Sequence, residues 1–322
     1  MTRDADRFAL VADIGGTNTR VALAEGLRVL PDTVRRYRNA DYAGLETVLR
    51  EFLAAEDDVD CWGACVAIAG PVRDGVGTMT NLDWRIDGAT VARAAQAEVV
   101  SVLNDLQAQG FALEHLGTDA LRPVIAGPEA GADATRLVVG AGTGFNAATV
   151  YHTRKGRLVP PAEAGHANMP VRSAADLRLA HFVETAHGFP GIEDVLAGRG
   201  VERIYAWLGH EAGDLREKRA ADILAALQDG SDPRAEETAR VYVRLFGSVV
   251  GNLALNTLPF GGIYLIGGVA TAFAPYLERY GFADAFRDKG RFAGFMGNFG
   301  VSVVADDYAA LTGCASHLEE WR

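Results

Sequence analysis

Two segments of this chain each join one apolar, β-prone run to another through a turn of glycine and threonine. The first is Leu10-Val11-Ala12-Asp13-Ile14-Gly15-Gly16-Thr17-Asn18-Thr19-Arg20-Val21-Ala22-Leu23. The second runs from Leu137 through Gly140-Ala141-Gly142-Thr143-Gly144-Phe145-Asn146 to Val150. A hairpin tip of this composition offers backbone N–H groups and a hydroxyl to a concave site, which suits an anion. Two such tips could hold a polyphosphate between them. Neither is a P-loop, because Gly-x-x-x-x-Gly-Lys-Ser/Thr does not occur. Neither is a dinucleotide fingerprint, since strand rather than helix follows the first glycines.

Near the tips stand residues able to hold a cation or move a proton. Asp13 ends the first apolar run, where a carboxylate needs a cation or hydrogen bonds. It could hold Mg²⁺ through water, or accept only from loop N–H groups. Asn104-Asp105 closes one strand and opens a helix, so it is either a helix cap or the site of a general base for phosphoryl transfer. Strand C-termini face the ligand crevice in α/β sheets, which favours the base.

Glu163-Ala164-Gly165-His166 has metal-ligand spacing if it is helical. Gly165 and the upstream Pro160-Pro161 favour a loop instead, where a carboxylate and an imidazole suit a polyhydroxylated ligand. Glu193 is a helix-start dipole partner or a ligand contact. Gly267-Gly268, between a strand and a helix, is a tight turn or a place where nucleotide approaches the backbone.

These residues need a scaffold, and the chain is long enough for two domains around a cleft at 322 residues. It is 49 % hydrophobic and 23 % charged, the composition of a soluble globular protein. The formal charge of −11 argues against a nucleic-acid partner. The charged N-terminus reads as neither a signal peptide nor a membrane span. Cys61, Cys65 and Cys314 lack disulfide-framework or metal-site spacing, as expected of reduced thiols in the cytoplasm.

The pattern predicts strands at Phe8–Ile14, Val21–Ala24, Cys65–Ala69 and Val99–Leu103, with helices at Asp41–Ala54, Ala89–Ala97 and from Asn104 to about Leu113. Beyond a surface loop at Gly127–Thr135, it predicts helices at Ser173–His187, Gly191–Gly213, Asp232–Asn256, Val269–Tyr280 and about Ala309–Trp321, and a strand at Gly262–Ile266. Gly247 and Gly251, four apart on the long helix, permit close packing on a neighbour. The alternation indicates α/β layers.

Taken together these motifs resemble the bacterial glucokinase family, within the hexokinase, actin and Hsp70-like ATPase group. The resemblance rests on Ala12-Asp13-Ile14-Gly15-Gly16-Thr17-Asn18, Met79-Thr80-Asn81, Leu103-Asn104-Asp105, Gly140-Ala141-Gly142-Thr143-Gly144 and Glu163-Ala164-Gly165-His166. It continues in Glu193-Asp194-Val195-Leu196-Ala197-Gly198, Gly251-Asn252-Leu253-Ala254-Leu255-Asn256 and Asp288-Lys289-Gly290-Arg291-Phe292.

The resemblance implies a two-domain, duplicated ribonuclease H-like fold with a central cleft. The small domain would be 1–115 plus the helix of 306–322, and the large domain 116–305. It implies ATP-dependent phosphorylation of the glucose 6-hydroxyl, with Asp105 as base. Asn81, Asn104, Glu163, His166 and Glu193 would bind the sugar. Asp13, Gly15, Gly16, Thr17, Asn18, Gly142, Thr143, Gly144, Gly267 and Gly268 would hold Mg-ATP, with Mg²⁺ on Asp13. It also implies a cytoplasmic homodimer.

The chain departs from that pattern at Asn146, where the family usually has a small residue such as glycine, and at Asp306-Asp307-Tyr308, where it lacks Asn-Pro-Gly. Asn tolerates left-handed backbone, so the turn survives, but its side chain could alter nucleotide fit. Three alternatives are a non-catalytic sensor, an ATP hydrolase without a sugar pocket, and a kinase for another hexose. The related kinase and repressor family would add a cysteine-rich zinc site beside His166, and a repressor would add a DNA-binding module. The sequence has no such cysteines, and its first strand begins too early for such a module.

Overall fold

The run Phe8–Ile14 is buried along most of its length, as befits a strand covered on both faces. In the computed structural model, which describes residues 7–79, 82–306 and 308–322, it lies within a sheet. It pairs antiparallel with Asn18–Glu25 and parallel with Cys61–Ile68, which in turn pairs parallel with Val99–Asn104. Arg28–Val29 and Arg35–Arg38 extend the hairpin side. Cys61–Ile68 begins four positions before its predicted start because Phe8 recruits Cys61 into the ladder. The registers Ile14↔Ile68 and Ile68↔Asn104 bring the ends of three parallel strands level. Asp13 and Asn104-Asp105 therefore share one end of this sheet.

A second sheet repeats the plan. Arg136–Ala141 pairs antiparallel with Phe145–Thr153 and parallel with Ile263–Ile266, which pairs parallel with Val301–Val304. Leu121–Ile125 closes the far edge in the antiparallel sense. In each sheet the first strand of a hairpin continues into two parallel neighbours, so the architecture is duplicated α/β.

The chain forms two compact units. The first holds the described part of Met1–Gly117, with Thr153–Pro161 and Asp306–Arg322. The second holds Thr118–His152 and Ala162–Ala305. Each has its own apolar core.

Most predicted helices are present with shifted ends, and tertiary contacts explain the exceptions. The predicted helix of Gly191–Gly213 is two, Glu193–Leu196 and Gly198–Glu211, parted by extended backbone at Ala197. The Gly198 amide donates to the Gly142 carbonyl at 2.9 Å instead of continuing the first helix. The predicted helix of Val269–Tyr280 is cut to Gly268–Phe273 and a 3-10 turn, Ala274–Tyr276, because Pro275 lacks an amide donor. Strands Leu121–Ile125 and Val301–Val304 and helices Ala220–Asp229 and Phe282–Arg287 have no counterpart in the sequence pattern above. The long helix, Pro233–Thr257, starts from an Asp232 cap and packs Gly247 and Gly251 against Phe282–Arg287. Among the described residues no helix is long and apolar enough to cross a membrane.

The final helix, Ala309–Glu319, is buried on nearly every side, which is why its apolar periodicity is weak. It lies on Asp105–Ala112, the helix that begins at the candidate base. A Cβ at Gly313 would overlap the Ala108 carbonyl. We expect Gly313→Ala to destabilise the protein by about 1–3 kcal/mol. Because the strain falls on the Asp105 helix, turnover should drop as well. Thermal unfolding and steady-state rates on the same sample check both effects.

Candidate active site

The first Gly-Thr turn is held by a residue the sequence did not reveal. Gly15 N donates to Asn18 O at 3.0 Å to close the tip. Asn39, only 1 % exposed, then binds it at three points. Its amide donates to Thr17 O (2.9 Å), its Nδ2 to Gly15 O (2.8 Å), and its Oδ1 accepts from Thr19 Oγ1 (2.8 Å). Gly16 and Thr17 are left exposed at the tip. No local pattern marks Asn39, since its importance lies in contacts over twenty residues away.

Asp13 stands at the strand end beside this tip, with Arg20 cross-strand at 4.0 Å. Its burial raises the carboxyl above the ordinary 3.8, an effect that the Arg20 charge offsets only in part. At the neighbouring strand end, Asn104 is the helix cap. Its side chain accepts from Leu106 N and donates to Gly70 O (3.0 Å), and Gln107 Oε1 returns to the Asn104 amide (3.0 Å). The cap and the acid are thus different residues. Asp105 is the first residue of the helix, and its Oδ1 also accepts from Leu106 N (2.8 Å).

In the second unit three separate segments meet. The tip Gly142-Thr143-Gly144 is closed by Gly142 N donating to Gly144 O (2.9 Å), with Thr143 and Gly144 exposed. Glu193, first in its short helix, accepts the Phe145 amide on Oε2 at 2.8 Å, so it braces this turn directly. Glu163 and His166 flank a 3-10 turn, not a helix, with His166 Nδ1 and Glu163 Oε2 3.6 Å apart. Gly165 makes this approach possible, since a Cβ there would strike the Phe145 carbonyl.

Gly267, at a φ of 96° that side chains disfavour, packs on Ala141, and Gly268 opens the next helix beside Gly142. Asn146 lies in the strand and not in the turn, with no left-handed backbone. Its side chain reaches Ala162 and Ala164, so the expected tolerance of a left-handed Asn is not called upon.

Asp13, Gly15 to Asn18, Asn104 and Asp105 thus belong to the first unit, and Gly142 to Gly144, Glu163, His166, Glu193, Gly267 and Gly268 to the second. Asn81 lies outside the described residues.

A family model for glucokinase matches residues 10–321. The chain belongs to the glucokinase family. A glucokinase of Erwinia tasmaniensis is 31 % identical over 98 % of both chains. A glucokinase of Brucella abortus is 32 % identical over 95 % of this chain and 90 % of its own. The crystal structure of a glucokinase from an Antarctic psychrotroph, 28 % identical, superposes with a TM-score of 0.86 over 97 % of this chain and 98 % of that one. The family's activity is this chain's: ATP-dependent phosphorylation of glucose, on the two-unit actin-like kinase fold.

For a glucokinase family member the donor set also bears on metal. Among the described residues no group of three or more His, Cys, Asp or Glu converges as a protein-only metal site. A single carboxylate suits Mg²⁺, which keeps most of its water. Asp13 fits: its side chain is 24 % exposed, and one arginine at 4.0 Å leaves its desolvation only partly compensated. Because the folded carboxyl holds its proton more tightly than the unfolded one, the native state binds more protons just above pH 3.8. Stability contributed by Asp13 therefore falls as pH rises through the raised value. Asp13→Asn should raise the ligand-free melting temperature at pH 7 by about 2–4 °C and flatten its fall from acid to neutral pH, while lowering activity. Differential scanning calorimetry across that range is the check.

Proposed function

We propose that Asp105 is the base of the phosphoryl transfer and that Glu163, His166, Glu193, Asn104 and Asn81 bind the sugar. The observation that supports the base assignment is position. Asp105 is the first residue of a helix that opens directly from the C-terminal end of a parallel strand, at the sheet end shared with Asp13, where α/β sheets bind their ligands. Asp105 takes the proton of the 6-hydroxyl as that oxygen attacks the γ-phosphorus. The bond from phosphorus to the bridging oxygen breaks, and ADP leaves with the electron pair.

The two Gly-Thr turns supply N–H groups and the Thr17 and Thr143 hydroxyls to the phosphates, where donors act on charge spread over the transferring group. Gly267-Gly268 gives the nucleoside end of ATP close access to the backbone. Asp13 would hold Mg²⁺ through water, and the ion supplies charge neutralisation on the phosphates. The sugar groups are suited to hydroxyls: a carboxylate accepts, and an imidazole can do either. A site built this way rejects analogues that leave its polar groups unpaired.

The three buried, unbridged cysteines fit a reducing compartment, which supports a cytoplasmic location. A homodimer is the family expectation, and sedimentation velocity tests it.

ADP release from Mg-ATP should be strong with glucose and weak with fructose, mannose, galactose or no sugar, and EDTA should abolish it. Equal release without sugar would indicate a hydrolase, and binding of glucose without turnover would indicate a sensor. Asp105→Ala should lower kcat about 10²–10⁴-fold with glucose affinity retained; near-normal turnover would leave Asp105 without a catalytic role. Glu163→Gln should raise the glucose KM far more than the ATP KM.

A further inference from the structure

We propose that Asn146 is a positioning residue that sets Glu163 for sugar, an inference that rests on the sugar-binding role of Glu163. Its side-chain amide makes three hydrogen bonds. Oδ1 accepts from the Ala147 amide (2.8 Å) and the Ala164 amide (2.9 Å), and Nδ2 donates to the Ala162 carbonyl (2.5 Å). Backbone amides can only donate and a carbonyl can only accept, so these partners fix which end of the side chain is oxygen.

Two of the bonds fall on the residues immediately before and after Glu163. The backbone of Glu163 is therefore held on both sides by a side chain from the strand that leaves the second phosphate turn. The Glu163 side chain is itself 52 % exposed. Burial does not fix that carboxylate, so anchorage of its backbone bears directly on where it stands. The same turn is pressed from the other side by Phe145 and Glu193 through the bare Gly165, and Asn146 completes the enclosure.

No other residue type reproduces the clamp. Serine is too short to span two segments, aspartate lacks the donor for Ala162, and glycine removes all three bonds. The clamp's physical effect is preorganisation: the sugar turn is already ordered before ligand arrives, which spares part of the ordering loss on binding. The hydrogen-bond partners of the Asn146 side chain are Ala147, Ala162 and Ala164, none of them in Gly142-Thr143-Gly144.

The test is Asn146→Gly and Asn146→Asp in the full chain, with hydrogen exchange and steady-state kinetics. In the ligand-free protein, exchange at the Ala164 amide should accelerate at least about tenfold in Asn146→Gly and slow again when glucose is added. The glucose KM should rise about tenfold in Asn146→Gly, with kcat and the ATP KM each within about twofold of the parent. Asn146→Asp keeps the acceptor oxygen and the side-chain volume. It loses the donor to Ala162, so Ala164 exchange should lie between that of the parent and that of Asn146→Gly, and it reads out the clamp even if Asn146→Gly folds poorly.

Unchanged Ala164 exchange in Asn146→Gly, or in a well-folded Asn146→Asp, would overturn the clamp. A raised ATP KM with an unchanged glucose KM would overturn it too, and would move Asn146 to the nucleotide side. Failure of the parent protein to release ADP with glucose would instead count against the sugar role of Glu163. The amide-exchange result would still decide the clamp.

Discussion

The 2.8 Å hydrogen bond from the Phe145 amide to Glu193 is the contact on which the second half-site depends. It ties the end of the second Gly-Thr turn to the start of a helix almost fifty residues away. The spacing around it is then forced. Gly165 must be bare for the Glu163-Ala164-Gly165-His166 turn to lie against the Phe145 carbonyl, and a Cβ at Gly144 would crowd the Glu193 carboxylate. Gly198, five residues past Glu193, donates to Gly142 and so breaks what would have been one long helix. The second Gly-Thr turn, the short helix of Glu193 and the Glu163–His166 turn are therefore packed as one assembly.

The first unit solves a different problem, which is to keep carboxylates at the end of a buried sheet. Asp13 is held there against its solvation preference, since burial outweighs the nearby arginine. That is a local loss of stability of the kind that functional sites carry. Asp105 is presented by a helix whose cap is a neighbouring residue and whose flank is covered by the buried C-terminal helix. Thus the last residues of the chain act on the helix that carries the acid, through backbone contact at Gly313 and Ala108.

Much of the candidate site was legible because its signals are short-range. A Gly-Thr tip between apolar runs, an Asn-Asp at a strand end and a Glu-Ala-Gly-His loop each declare themselves within a few residues. The long helix was legible for the same reason, with an Asp232 cap and sustained apolar spacing. The last helix was legible only in outline, because complete burial erases the polar face on which periodicity depends. Val301–Val304 was missed since three valines and a serine are too short a run to distinguish strand from helix.

By itself, then, the sequence determined the two Gly-Thr turns, the α/β alternation, the family and the identity of the titratable candidates. These follow from local backbone chemistry and from residue order. Tertiary structure alone decided that Asn39 clamps the first turn, that Glu193 braces the second, and that Asn146 bonds to Ala162 and Ala164 on either side of Glu163. It also placed Thr153–Pro161 with the first unit. The reason is common to all of them. A buried amide or carboxylate must find a partner, and which partner lies within hydrogen-bond reach is set by how distant segments pack.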